Sequence, residues 1–109
     1  MALECIKGTT VPIVDVVKKA RQNFKDSHAR REPRGMCSFF VGALHDLGAT
    51  DGDVWFWEIP AFIPLFSRSL AKALFSAPAE DSDYWWPVEC PTKRLEYFDW
   101  LIEQYSKEI

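Results

Sequence analysis

The chain has 109 residues, of which 48% are hydrophobic, 15% aromatic and 27% charged. This composition predicts one globular domain spanning residues 1–109 and excludes a disordered chain. The net charge of −3 is too small for a nucleic-acid mimic and has the wrong sign for a general nucleic-acid binder, so nucleic acid is a disfavoured partner.

The cysteines Cys5, Cys37 and Cys90 are widely spaced and form no Cys-x-x-Cys pair. Neither a disulfide framework nor a zinc site is therefore expected. The N-terminus has no basic region followed by an apolar run, and no apolar stretch is long enough to span a bilayer. These features predict a cytoplasmic protein with reduced thiols, no membrane association, no metal site and no cofactor.

The first periodic segment predicts a helix from about residue 11 to residue 27, preceded by an irregular lead over residues 1–9. Thr10 is placed to cap this helix, and Pro12 lies in its first turn, where a missing N–H does no harm. Apolar residues recur at helical spacing and form one stripe to be buried. They are Ile13, Val16, Val17, Ala20 and Phe24.

A basic loop follows over residues 28–34 and includes Arg30, Arg31 and Arg34. A solvated loop is the usual interpretation of such a charge cluster, and a nucleic-acid contact is the alternative.

The second predicted helix runs from Gly35 to Leu47, with Gly48 in the position of a C-terminal cap. Gly42 lies inside this helix, where glycine costs about 1 kcal/mol relative to alanine. Close approach by the first helix or by a tryptophan ring would explain it. The apolar stripe comprises Met36, Cys37, Phe40, Val41, Leu44 and Leu47.

The run from 54 to 59 is rich in aromatic and β-branched residues, which favours a strand, but the aspartates before it favour a short helix. A short helix is the preferred interpretation, and a small β element at 54–59 is the alternative. Another helix is predicted from Pro64 to about Ser76. The predicted fold class is therefore mainly α, a compact single domain of about four helices.

The last helix is predicted to start at Pro91, after an aromatic run at 84–87 that reads Tyr-Trp-Trp-Pro. Large rings bury much area, so this run is expected to help close the core over the helices. Tyr97 and Trp100 lie beside the main apolar stripe of the last helix. That stripe comprises Leu95, Phe98, Leu101, Ile102 and Tyr105.

Cys37 is the main candidate for catalysis, because a thiol in the first turn of a helix gains thiolate character from the helix dipole. A cysteine nucleophile also needs a histidine base. His45 lies about 12 Å further along the same helix, and His28 is the first residue of the basic loop. A buried structural cysteine is therefore preferred, and a small cysteine-dependent enzyme is the alternative.

The surplus of tryptophan, with one nearby arginine, predicts a surface that binds a protein partner, because Trp, Tyr and Arg dominate interface energies. Homodimerisation is a second use of such a surface, because large exposed apolar patches rarely stay solvated. The candidate partner-binding residues are Trp55, Trp57, Trp85, Trp86, Arg94 and Trp100.

The Tyr-Trp-Trp-Pro run at 84–87 and the Arg-Leu-Glu-x-x-Asp-Trp-Leu-Ile-Glu run at 94–103 resemble motifs of small accessory proteins of tailed bacteriophages and prophages. The resemblance covers roughly residues 12–106. It transfers no activity and no functional residue. It implies a setting in the cytoplasm of an infected bacterium, where such proteins often bind and inhibit or redirect a host protein, including nucleases of defence systems.

Overall fold

The computed structural model describes residues 2–30, 36–67, 70, 73–74 and 91–108, and these residues are mainly helical. The mainly α fold class is thereby confirmed. The named elements are α1 (Ile13–Ala29), α2 (Met36–Asp46), a 3-10 helix (Phe56–Glu58), α3 (Ile59–Phe62) and α4 (Pro91–Tyr105).

The N-terminal segment is held by backbone contacts and is not the simple irregular segment that the sequence predicts. Cys5 and Pro12 form an antiparallel bridge, and the N–H of Ile13 donates to the carbonyl of Glu4 at 2.9 Å. Ile6 is buried in the core. The prediction of Thr10 as the helix cap was wrong: Pro12 holds the cap position, with no side-chain cap bond, because the carbonyl of Glu4 accepts the first helical N–H.

Helix α2 ends in the glycine cap that the sequence predicts. Gly48 has φ of 69°. Its N–H donates to the carbonyl of His45, and the N–H of Ala49 donates to the carbonyl of Leu44. This pair of bonds is a Schellman motif. Leu47 lies in this cap, outside the helical stripe, and is 37% exposed, so its predicted burial was wrong.

Aromatic rings join α1, α2 and α4 at the centre of the core. The ring of Phe40 lies 4.4 Å from that of Phe66 and 5.4 Å from that of Phe98. Phe24 on α1 contacts both Phe39 and Phe98. In the part of the chain that the structure describes, these phenylalanines close the predicted stripes. The aromatic run at 84–87, which was expected to do so, lies outside the described residues.

The chain is irregular at Val54 and Trp55 and helical from Phe56 to Phe62, so the short-helix interpretation of 54–59 is confirmed and the strand alternative was wrong. Pro60 lies in the first turn of α3, where its missing N–H does no harm. The next helix does not begin at Pro64 as predicted, because residues 64–65 form a turn and 66–67 are irregular. Leu70, Ala73 and Leu74 are helical.

Two tyrosines of α4 hold this irregular segment. The hydroxyl of Tyr97 donates to the carbonyl of Leu65 at 2.8 Å and accepts from the N–H of Ser67 at 3.0 Å. The hydroxyl of Tyr105 accepts from the N–H of Leu65 at 2.9 Å. Buried backbone groups require such partners. These bonds explain why Tyr97 is completely buried instead of lying beside the stripe.

Both tyrosines should make the fold sensitive to high pH. Burial raises the pKa of Tyr105 from 10.0 to about 12 and raises the pKa of Tyr97 further, although backbone N–H groups partly oppose it. Because these folded-state pKa values exceed the unfolded one, the tyrosines contribute full stability below about pH 10. That contribution is lost as the pH rises through the folded-state pKa.

Urea denaturation should therefore give a free energy of unfolding that falls above about pH 10. Tyr105→Phe should reduce the fall between about pH 10 and pH 12. An unchanged pH dependence in this variant would contradict the assignment.

No unusually close neighbour requires a glycine at position 42. A Cβ built there would lie 3.7 Å from Nδ2 of Asn23 on α1, an ordinary contact. Gly42→Ala should therefore raise the free energy of unfolding by about 0.5–1 kcal/mol in urea denaturation. Gly48→Ala is the matched control and should lower it by about 1 kcal/mol, because alanine is strained at positive φ. Destabilisation by Gly42→Ala would reveal tighter packing of α1 on α2.

Candidate partner-binding surface

A short helical turn places Trp55 and Trp57 at the surface. The N–H of Glu58 donates to the carbonyl of Trp55 at 2.8 Å, which closes the 3-10 helix. Ile59 and Ile63 follow at helical spacing and are completely buried. They anchor the segment in the core and leave the two preceding indoles outside it.

The indoles of Trp55 and Trp57 stack on each other at the protein surface. Their ring centroids lie 5.3 Å apart and their planes differ by 2°. Trp55 is 56% exposed and Trp57 is 62% exposed. Rings at this separation form a favourable offset stack. The stack holds two large apolar side chains in one orientation, so a partner would meet a preformed surface.

Three of the residues close to this pair in the chain are acidic. Asp51 and Asp53 are exposed on the loop before Trp55, and Glu58 is half-buried directly after Trp57. The loop itself is held locally, since the N–H of Gly52 donates to the hydroxyl of Thr50 at 3.3 Å. The chain segment that carries the two indoles therefore also carries negative charge.

Arg94 does not belong to this surface. Its side chain is 1% exposed, and its guanidinium carbon lies 5.7 Å from the ring centre of Phe24. This is a cation–π contact between α4 and α1. The burial contradicts the prediction of Arg94 as a partner contact, because a side chain inside the helix packing cannot meet another molecule.

Trp100 lies between core and surface. It is half-buried against the core, and its ring stacks on Tyr97 at 6.1 Å. Trp85 and Trp86 lie outside the described residues. Of the six predicted contacts, the structure brings together Trp55 and Trp57.

Of the predicted basic loop, only residues 28–30 are described, and the predicted start was wrong because His28 and Ala29 belong to α1. Arg30 is exposed and ends α1, where its N–H donates to the carbonyl of Asp26 at 3.1 Å. Arg31 and Arg34 lie outside the described residues. Arg21, outside the basic loop, pairs with Asp99 across α1 and α4 at 2.8 Å.

Cys37 is 5% exposed, so its thiol has little access to a substrate. His28 stacks on Phe24 at 6.1 Å, and His45 lies at the far end of α2. Across the described ranges, no group of three or more His, Cys, Asp or Glu residues is placed to hold a metal ion. None of the described helices is both long and apolar enough to cross a membrane.

A polar cleft that sequence reasoning missed lies between α1 and α2, with a volume of about 290 Å³. Polar residues repeated along one side of α1, opposite Ser38, are a signal that could have found it. Its lining carries carboxylates, hydroxyls and one guanidinium, which can form hydrogen bonds, and it holds neither cysteine nor histidine. The lining residues are Asn23, Asp26, Ser27, Arg30, Ser38, Phe39 and Asp46.

No family model, curated protein or solved structure matches the chain.

Proposed function

We propose that this protein is a non-catalytic accessory protein that binds a protein of its host cell and inhibits or redirects it. The observation that carries the proposal is the stacked and exposed pair of Trp55 and Trp57. Aromatic side chains of this kind supply most of the binding energy in protein interfaces.

The arrangement of the pair favours binding over folding as its role. Ile59 and Ile63 are completely buried and anchor the segment, whereas more than half of each indole side chain is exposed. An exposed apolar patch in a monomer usually marks an interaction site. Stacking also limits the motion of both rings before binding, which lowers the entropy that a complex must lose.

The burial of Cys37 supports a binding role over a catalytic one, since a nucleophile needs access to its substrate. The host setting rests on the resemblance of the 84–87 and 94–103 motifs to phage accessory proteins. Within that setting, a component of a bacterial defence system is the proposed target.

The test is a comparison of tagged proteins expressed in a bacterial host and purified with their bound partners. Wild-type protein should retain one host protein at a fixed ratio. The W55A/W57A variant should retain at least about tenfold less of it, because two hot-spot rings are lost. Leu74→Ala removes another exposed apolar side chain, 51% exposed, and should retain as much as wild type.

Equal retention by wild-type protein and the W55A/W57A variant would contradict the proposal, as would the lack of any specific partner. Cys37→Ala addresses the enzymatic alternative. If Cys37→Ala left binding intact but abolished the biological effect, the non-catalytic role would be wrong.

A further inference from the structure

We propose that the Trp55–Trp57 pair binds a cationic segment of its partner, one that presents arginine or lysine side chains to the indole faces. This inference rests on the proposed function and names the chemistry of the partner. It follows from the charge distribution of the chain and from the geometry of the pair.

The chain is divided sharply by charge. Residues 36–67 contain four carboxylates and no lysine or arginine, whereas the remaining residues hold all 13 basic residues and 12 of the 16 acidic ones. The four carboxylates belong to Asp46, Asp51, Asp53 and Glu58. The segment that carries the indole pair thus has a net charge of −4, against +1 elsewhere, and would attract a basic partner.

Two carboxylate residues lie next to the indole pair in the chain. Asp53 precedes Trp55 by two residues, so their Cα atoms are at most about 7.6 Å apart. Glu58 directly follows Trp57. Both Cα separations are below the Debye length of about 10 Å at moderate salt, over which exposed charges still interact. A cation on the indoles would therefore interact with these carboxylates as well as with the rings.

The rings themselves suit a cation. An indole face attracts ammonium and guanidinium groups within about 6 Å of its centre, and tryptophan does so more strongly than the other aromatic residues. The core uses the same contact where Arg94 lies over Phe24. The segment 51–58 thus carries both exposed indoles and carboxylates, the two groups that attract a cation.

The same charges disfavour two other occupants. A single-stranded nucleic acid could stack its bases on the indoles, but its phosphates would face Asp51, Asp53 and Glu58. A second copy of the chain would bring the same carboxylates against their own copies, since a two-fold interface is self-complementary. A basic protein segment has neither cost.

The test uses the ¹⁵N-labelled full chain and three short peptides with alternating glycine and arginine, lysine or glutamate. Indole N–H resonances of Trp55 and Trp57 report binding even when it is weak. The arginine peptide should shift both resonances most, the lysine peptide less, and the glutamate peptide not at all. Raising the salt concentration from about 0.05 M to about 0.5 M should lower the affinity for the arginine peptide at least about threefold.

Protein variants separate the contributions of the two indoles and of the nearby carboxylates to peptide binding. The W55A/W57A variant should lose peptide binding, and the D51N/D53N variant should weaken it about threefold or more, since each exposed ion pair contributes modestly. The D15N/E103Q variant changes the net charge equally through exposed residues of α1 and α4. It should bind the arginine peptide within about twofold of wild type.

Several results would overturn the inference. They are equal shifts with the glutamate peptide, no shift with the arginine peptide, tighter binding of a short oligothymidine, or a dimer in sedimentation that W55A/W57A abolishes. If one of these results occurs while the W55A/W57A variant still fails to retain the host protein, the proposed function stands, and only the inference that the partner is cationic is wrong. If the host protein is retained by W55A/W57A, the proposed function itself fails.

Discussion

Replacing Phe40 by alanine is expected to lower the free energy of unfolding by about 4 kcal/mol. Phe40 is completely buried, and its ring contacts both Phe66 and Phe98. The substitution therefore removes a large apolar side chain and leaves a cavity where α2, α4 and the segment after α3 meet. A loss of this size is a large part of the stability of a small domain.

The measurement is urea denaturation followed by far-ultraviolet circular dichroism. If Phe40→Ala does not fold, Phe40→Leu keeps most of the volume and should lose about 1–2 kcal/mol. Val41→Ala is the control on the same helix, since Val41 is only half-buried, and should lose less than Phe40→Leu. A loss from Phe40→Ala no larger than that from Val41→Ala would contradict the described core.

Tyr97→Phe is expected to lower the free energy of unfolding by about 2–3 kcal/mol, although it removes a single oxygen atom. The N–H of Ser67 and the carbonyl of Leu65 would both lose the hydroxyl that binds them. Buried polar groups without partners cost about 1–3 kcal/mol each, and relaxation of the segment offsets part of that. The phenyl ring itself keeps its contacts.

Tyr105→Phe provides the comparison, because the hydroxyl of Tyr105 accepts one bond, from the N–H of Leu65. It should lose about 1 kcal/mol in the same denaturation assay. Equal losses from the two variants would show that Tyr97 does not hold the segment through two bonds.

Helical spacing was sufficient to predict the buried stripe of α1 and the glycine cap of α2. These features depend on residues close together in the chain. The capping of α1 was not predictable in this way, because Glu4 supplies a backbone partner that propensity rules for Thr10 do not consider. The burial of Tyr97 likewise depends on Leu65 and Ser67, which lie about thirty residues away.

The prediction of the candidate surface was limited for the same reason. Sequence composition indicated Trp55 and Trp57 but gave equal standing to Arg94, since all three are typical interface residues. Buried Ile59 and Ile63 place the two indoles outside, whereas packing of α4 on α1 places Arg94 over Phe24. Which face of a helix is covered is a tertiary property, so spacing alone could not separate them.

Urea denaturation of the W55A/W57A variant tests most directly whether the stacked pair is a binding surface and not part of the core. An exposed ring stack contributes about 0.5–1.5 kcal/mol, so the free energy of unfolding should stay within about 1.5 kcal/mol of wild type. A loss of about 3 kcal/mol or more per ring, as for buried aromatic residues, would show that the indoles hold the fold together and would contradict their assignment as a surface for a partner.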